Sequence, residues 1–140
     1  MSLYLDASVL VSLFVIDPTS ARAEIFLAAR LEQLIVSDFC AAEFSSAVAR
    51  RVRMHTLTAD EGRRAFANFD TWMARSVDRQ QMTSADVEAA NVTLRRLDVN
   101  LRAPDALHMM IAERVGATLV TFDAGMAVGA RALGMAVALP

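Results

Sequence analysis

Short apolar runs alternate with longer segments of helical periodicity along most of the chain. The runs are uninterrupted rather than alternating with polar residues, as in Ser2–Leu5 (SLYL) and Gln33–Ser37 (QLIVS). Strands that are apolar on both faces are typical of parallel sheets covered by helices on both sides. The sequence therefore predicts an α/β fold, a three-layer α/β/α arrangement around a central parallel sheet of about five strands.

Turn and capping signals set the bounds of these elements. Asp17 precedes Pro18 and marks a turn, because a residue before proline avoids the helical conformation. Thr58 and Glu61 match a capping box at the start of a helix, and Gly116 is placed as a glycine that ends one. The predicted strands are 2–5, 33–37, 78–82, 117–121 and 135–139. The predicted helices are 7–14, 20–31, 38–54, 59–75, 84–98, 104–115 and 124–132.

Composition excludes several classes of protein. A length of 140 residues suits one domain (1–140) with a real core, and 55% hydrophobic residues exclude a disordered chain. No apolar stretch is long enough for a membrane span, and the first ten residues lack the basic region of a signal peptide. Cys40 is the only cysteine, which excludes an internal disulfide and a cysteine-based zinc site. A reducing cytoplasm is the expected compartment.

Four acidic residues follow or flank the carboxyl ends of predicted strands, where open α/β sheets bind their ligands. Asp6 directly follows the first strand, and Asp123 closely follows the strand at 117–121. Glu43 lies in the early turns of the helix after the second strand, and Asp105 lies in the first turn of a later helix. Each one alone has an ordinary explanation as a helix cap, a partner of the helix dipole or a solvated side chain.

Together, these four carboxylates indicate a metal site. Converging carboxylates repel one another, and their pKa values rise unless cations neutralise them. Oxygen ligands without cysteine or a histidine-rich motif suit Mg²⁺ or Mn²⁺ rather than zinc. The pattern therefore predicts metal-assisted hydrolysis of phosphodiester bonds.

The segments around these acids resemble those of the PIN-domain ribonucleases, and most closely those of the VapC toxins of bacterial and archaeal toxin–antitoxin modules. The resemblance extends from Leu3 to Val137 and rests on the order and spacing of the segments LDASVL from Leu5, the helical Glu43, PDALH from Pro104 and LVTFD from Leu119. It implies a PIN fold and endonucleolytic cleavage of RNA. It also implies a site in which Mg²⁺ or Mn²⁺ is held by Asp6, Glu43, Asp105 and Asp123.

The resemblance further implies a homodimer and a VapB-type antitoxin that wraps the protein and blocks its site. The sequence itself shows two amphipathic helices, 20–31 and 38–54, with more apolar surface than one small sheet can cover. In the family a hydroxyl residue often follows the first Asp, where this chain has Ala7. Ser8 is a candidate to supply a hydrogen bond to the acid instead, and Thr121 is a candidate partner of Asp123 or an ordinary strand residue.

Two arginines are candidates for binding RNA phosphates. Arg50 lies seven residues after Glu43, so both share nearly the same helix face roughly 10 Å apart along the axis. It either binds a phosphate or forms a solvated helix end, and Arg102 is the second candidate. His108, one turn after Asp105, is interpreted as structural rather than as a general base. If four of the 16 acidic residues form the site, the 14 arginines exceed the remaining 12, so a net charge of −2 does not exclude an RNA substrate.

Other functions fit the sequence less well. A haloacid-dehalogenase-like phosphatase requires a second Asp at the position of Ser8 and a lysine, and this chain has neither. No G-x-G-x-x-G pattern follows the first strand, which excludes a Rossmann cofactor domain. A non-catalytic PIN-like binding module has no need of four clustered acids. A non-toxin PIN-domain nuclease that processes RNA and such a non-catalytic module are the two alternatives that the sequence leaves open.

Overall fold

The computed structural model describes residues 1–140, which form a single five-stranded parallel sheet flanked by seven helices. The strands are β1 (Ser2–Leu5), β2 (Gln33–Ser37), β3 (Asp78–Gln80), β4 (Thr118–Val120) and β5 (Val137–Ala138), in the spatial order β3-β2-β1-β4-β5. The helices are α1 (Ala7–Phe14), α2 (Ser20–Ala28), α3 (Asp38–Arg53), α4 (Ala59–Ser76), α5 (Ser84–Leu94), α6 (Ala103–Arg114) and α7 (Ala124–Ala132). The predicted α/β/α architecture and its five parallel strands are confirmed.

Both faces of the sheet are buried, which explains the uninterrupted apolar runs of its strands. β1 lies at the centre and pairs with β2 on one side and β4 on the other. Successive side chains of a strand point to opposite faces, so Leu5 joins one core cluster with Val120, and Tyr4 joins a second cluster with Leu119. Two cores therefore hold the sheet between them, and the strand ends are fixed from both sides.

The core on one face contains a cluster of aromatic rings, whereas the core on the other is mainly aliphatic. Helices α1, α3 and α4 supply the first, in which the rings of Phe44 and Phe69 lie 4.3 Å apart and Phe14 contacts Trp72 at 5.3 Å. The aromatic residues at helical spacing on α4 thus belong to this core. Helices α5, α6 and α7 supply the second core, whose members include Met109, Ile111, Met126 and Ala130. No helix has both the length and the apolar character needed to cross a membrane.

The predicted helices 20–31 and 84–98 are too long at their ends. α2 stops at Ala28, because the following turn exposes Leu31 completely and its amide donates to the Glu32 carboxylate instead of a helix carbonyl. α5 stops at Leu94, because Leu97 adopts the left-handed conformation with a φ of 58°. Gly116 has a φ of 65° after α6, as the sequence predicts.

The predicted strands 78–82, 117–121 and 135–139 are shorter in the structure. β3 ends at Gln80, because the next backbone groups bond to side chains: the Gln81 carbonyl accepts from Arg114, and the Met82 amide donates to Asp38. β4 and β5 pair over only two registered positions. The helices predicted at 38–54 and 59–75 differ from α3 and α4 by a single residue at one end, and the helix predicted at 104–115 differs from α6 by one residue at each end, the usual uncertainty of such bounds.

Candidate active site

Asp6 is the most buried acid at the carboxyl edge of the sheet, with 3% of its surface exposed. It lies between β1 and α1, and its side chain caps the helix by accepting from the Val9 amide at 3.2 Å. The same oxygen, Oδ1, accepts from the Ser8 hydroxyl at 2.6 Å, and Oδ2 accepts from the Thr121 hydroxyl at 2.7 Å. Three donors from three residues therefore fix both oxygens of this carboxyl group.

The environment of Asp6 opposes its negative charge. Burial raises the pKa of the Asp6 carboxyl above its ordinary value, although the hydrogen bonds from Ser8 and Thr121 act in the opposite direction. A buried carboxylate is costly unless a positive charge lies close to it. Asp6 therefore has the electrostatic character of a cation ligand.

The hydroxyls that hold Asp6 also hold the segment between β4 and α7. Ser8 Oγ accepts from the Phe122 amide at 3.0 Å, and Thr121 Oγ1 accepts from the Asp123 amide at 2.9 Å. Thr121 is a predicted partner of Asp123, but its hydroxyl proton goes to Asp6 and it meets only the backbone of Asp123. The reason is the pairing of β1 with β4, which brings Thr121 beside the end of β1.

Asp123 and Asp105 each begin a helix and keep one carboxylate oxygen free. Asp123 caps α7, where its Oδ1 accepts from the Met126 amide at 3.0 Å. Asp105 lies in the first turn of α6, where its Oδ2 accepts from the Arg102 amide at 3.0 Å and lies 3.8 Å from the Arg102 guanidinium. Capping of a helix start therefore accounts for the hydrogen bond to one carboxylate oxygen of each residue. Their second oxygens, Oδ2 of Asp123 and Oδ1 of Asp105, accept no hydrogen bond from the protein.

Glu43 is held by a buried chain of side chains that begins at the start of α3. Its Oε2 contacts Nε2 of His108, whose Nδ1 lies 2.9 Å from the Tyr4 hydroxyl, which in turn lies 2.7 Å from the Ser37 hydroxyl. A carboxylate only accepts hydrogen bonds, so Nε2 of His108 donates to Glu43, while Nδ1 shares a hydrogen bond with the Tyr4 hydroxyl. Burial raises the pKa of Tyr4 and keeps its hydroxyl protonated for this role. Ser37 completes the chain by accepting from the Cys40 amide and capping α3.

Sequence reasoning identified His108 as structural but did not identify its contact with Glu43. The histidine is buried, and it tilts against the ring of Phe39 with centroids 5.0 Å apart. The available signal was its position one turn after Asp105, which places it on the helix face that meets the sheet edge. His108 therefore links two of the acidic positions, one through its own helix and one through its ring.

The chemistry of the donor set fits a hard divalent cation. No three His, Cys, Asp or Glu side chains converge closely enough to hold a metal ion as they stand. However, Glu43, Asp105 and Asp123 each keep one carboxylate oxygen without a protein hydrogen bond, and Asp6 is buried at the same edge. Carboxylate oxygens are the ligands that Mg²⁺ and Mn²⁺ prefer.

The two arginines predicted to contact RNA lie near different acids of the site. Arg50 is exposed on α3, forms no ion pair, and lines a cleft with Ala7 and Ser8 beside Asp6. Arg102 is exposed at the start of α6, where it lies near Asp105. Arg50 therefore has a free guanidinium, whereas the charge of Arg102 is partly offset.

A parallel α/β/α sheet with acidic side chains at its carboxyl edge is the arrangement that the resemblance to PIN-domain proteins predicts. The family model described as "PIN domain" matches residues 3–131, and the chain accordingly belongs to the PIN domain family. Within that family it belongs with the VapC ribonucleases. Ribonuclease VapC46 of Mycobacterium tuberculosis is 30% identical to it over 148 residues, which cover 99% of this chain and 98% of that protein. The resemblance identified in the sequence is confirmed.

Solved structures of the same family share the fold. VapC20 of Mycobacterium tuberculosis, described as a sarcin–ricin loop cleaving toxin, matches with a TM-score of 0.75 and 20% identity over 96% of each chain. The Rickettsia felis VapBC2 complex bound to a fragment of its promoter DNA matches with a TM-score of 0.73 and 16% identity over 100% of this chain and 99% of that one. Likenesses at these identities establish the fold of this protein.

Proposed function

We propose that this protein is an endoribonuclease that hydrolyses RNA phosphodiester bonds and is the toxin of a VapBC-type toxin–antitoxin pair. The observation that carries the proposal is the match with Ribonuclease VapC46 along 99% of the chain, in a protein that presents four acids at one sheet edge. A non-catalytic PIN-like module has no need of a buried carboxyl group whose pKa is raised by burial, as that of Asp6 is.

Asp6, Glu43, Asp105 and Asp123 would hold Mg²⁺, for which Mn²⁺ substitutes. When bound, such a cation activates water and stabilises the charge that develops on the phosphate. Other side chains orient these acids. Ser8 and Thr121 orient Asp6 through both of its oxygens, and His108 holds Glu43 through one of its two.

A protein partner follows from the apolar surface that the fold leaves exposed. α2 buries only Ala23, while Ile25 on the same helix is 72% exposed and the nearby Ile16 is 98% exposed. Large apolar side chains exposed to this extent are typical of interaction surfaces. We assign this surface to a second copy of the chain and to a VapB-type antitoxin, the partner in the Rickettsia felis complex.

The activity is tested with a labelled single-stranded RNA and the purified protein. We expect cleavage with Mg²⁺ or Mn²⁺, none with EDTA, and loss of cleavage in Asp6→Asn and Asp105→Asn with thermal melting that shows a folded protein. Asp70→Asn is the matched control, because Asp70 is exposed on α4 and forms no hydrogen bond or ion pair. Full activity in both site variants would refute the assignment of the site.

The toxin role is tested separately from the chemistry. Expression of the protein is expected to arrest bacterial growth, and expression of Asp6→Asn is not. Co-expression of a small protein encoded beside the gene is expected to relieve the arrest. An active nuclease that leaves growth unaffected would favour the alternative, a PIN-domain nuclease that processes RNA.

A further inference from the structure

We propose that the cleft beside Asp6 is a subsite for one nucleotide of single-stranded RNA next to the cleaved bond, with its phosphate on Arg50 and its base against Phe122. The cleft has a volume of about 500 Å³ and lies between α1, the segment that follows α1, and α3. This is within the range of about 300–1,000 Å³ that is usual for ligand sites. The inference deepens the proposed ribonuclease function and rests on it.

The cleft and the acidic site share a wall. Ser8 lines the cleft, and its hydroxyl donates to Asp6 Oδ1 at 2.6 Å. Phe122 also lines the cleft, and its amide donates to the same Ser8 hydroxyl at 3.0 Å. A larger cleft, of about 660 Å³, lies at the other end of the sheet beside Gln33 and Asp78, away from the acids. Of these two clefts, only the one beside Asp6 is lined by a residue, Ser8, that hydrogen-bonds to one of the four acids.

The cleft contains one uncompensated positive charge. Arg50 and Arg51 both line it, but Arg51 lies 3.5 Å from Asp17, which also lines it and neutralises that guanidinium. Arg50 is exposed and has neither an ion pair nor a hydrogen bond with the protein. Guanidinium groups bind phosphate oxygens through two parallel hydrogen bonds, which makes Arg50 the phosphate ligand of this subsite.

The remaining walls suit a base rather than a second charged group. The half-buried ring of Phe122 faces the cleft and has the guanidinium of Arg22 5.3 Å from its centroid. Unstacked bases bind to aromatic rings and arginine planes, and this is how proteins usually recognise single-stranded RNA. Ser12 and Thr19 also line the cleft, but their hydroxyls bond to each other, to the Ser8 carbonyl and to the Asp17 carboxylate, which leaves Phe122 as the surface for the base.

The test measures binding of a short single-stranded RNA by fluorescence anisotropy in EDTA, so that cleavage does not enter the result. Arg50→Gln is expected to weaken binding by about tenfold and to reduce the slope of log K against log salt by roughly 0.7, because one phosphate contact is lost. Phe122→Leu is expected to weaken binding by about fivefold or more without changing that slope. Arg53→Gln is the matched control on the same helix, exposed and outside the cleft.

Each outcome decides the matter. The subsite would be overturned if the Arg50→Gln variant bound RNA as tightly as the Arg53→Gln variant does. It would also be overturned if the wild-type protein bound no single-stranded RNA. Unchanged RNA binding combined with lost binding of an antitoxin would assign the cleft to a protein partner instead. A folded wild-type protein that shows the expected binding pattern but cleaves no RNA with Mg²⁺ would refute the proposed function and leave the subsite standing. Thermal melting of each variant shows that it is folded.

Discussion

The ion pair between Asp86 and Arg114 joins α5 to α6, the helix that carries Asp105 and His108. Arg114 Nε and Nη2 donate to the two oxygens of Asp86 at 2.7 and 3.0 Å, and Nη2 also donates to the Gln81 carbonyl at 2.9 Å. The side chain of Asp86 is 2% exposed, whereas that of Arg114 is 33% exposed. One partner is therefore fully desolvated and depends on the other for its charge compensation.

Replacement of Arg114 by Met is expected to lower the melting temperature substantially. Removing one partner of a buried pair costs about 3–5 kcal/mol. The free energy of unfolding should fall by less, roughly 2–3 kcal/mol, because Arg114 is partly exposed and Thr83 still donates to Asp86. An unfolding entropy of about 2.1 cal/mol/K per residue over 140 residues gives roughly 0.3 kcal/mol/K. The melting temperature should therefore fall by about 7–10 °C.

The dependence on pH tests the same reasoning. Burial alone would raise the pKa of Asp86, but the hydrogen bonds from Arg114 and Thr83 outweigh it and hold the pKa below its ordinary value. The ionised pair therefore stabilises the fold above a pH of about 4, and this stabilisation is lost as the pH falls through the folded-state pKa. The difference in melting temperature between wild type and Arg114→Met should shrink between pH 7 and pH 3.

Circular dichroism melting at both pH values measures these differences. Arg131→Met is the matched control, because Arg131 occupies the last turn of α7 as Arg114 does that of α6, but is exposed and unpaired. We expect the control to melt within about 2 °C of the wild type. The ion pair does not stabilise the fold as described if both variants melt together at pH 7, or if the difference in melting temperature is the same at pH 3.

Two further substitutions test contacts that hold the site. Tyr4→Phe removes the hydroxyl between Ser37 and His108 and should lower the free energy of unfolding by about 1–2 kcal/mol in urea titration; an unchanged midpoint would contradict the hydrogen-bonded chain. Gly129→Ala places a Cβ 2.6 Å from Leu101 Cδ2, so it should destabilise α7 by about 1 kcal/mol despite the better helix propensity of Ala. Adding Leu101→Ala should cancel the clash, and a double variant that shows no coupling would disprove it.

Much of the fold is predictable because its signals are local. The bounds of α1 and α7 agree with the prediction, since each helix follows directly on an aspartate that caps it, Asp6 or Asp123. β2 was also predicted to the residue, because its apolar run ends at Ser37, which caps α3. Such caps depend only on neighbouring residues, so these bounds can be predicted without knowledge of tertiary contacts.

The predicted end of β3 was wrong because contacts distant in sequence determine it, whereas α2 and α5 end at local features that the pattern does not indicate, the bond of the Leu31 amide to Glu32 and the left-handed Leu97. β3 ends where Arg114 and Asp38 take over its backbone groups, and neither residue is near it in the chain. Nothing in the pattern around Leu97 indicates its left-handed conformation, which β-branched and bulky residues rarely adopt.

The acidic positions of the site were deducible from strand ends, but their supports were not. Thr121 donates to Asp6 across 115 residues of sequence, and His108 contacts Glu43 across 65. Such contacts depend on strand register and helix rotation, which sequence periodicity does not specify. The direction of the Thr121 hydroxyl, toward Asp6 rather than Asp123, likewise depends on strand register.

The hydrogen-bonded side chains that hold Glu43 form a closed ring. Ser37 caps the helix on which Glu43 sits, and the path from Glu43 through His108 and Tyr4 returns to Ser37. This ring fastens β1, α3 and α6 to one another, so none of the three can separate without breaking a buried hydrogen bond. The Cys40 amide, which donates into the ring, should accordingly exchange its hydrogen with solvent only through global unfolding. Local fluctuations near the site are then left to the residues outside the ring, Asp105 and Asp123, whose carboxylates are held through one oxygen each.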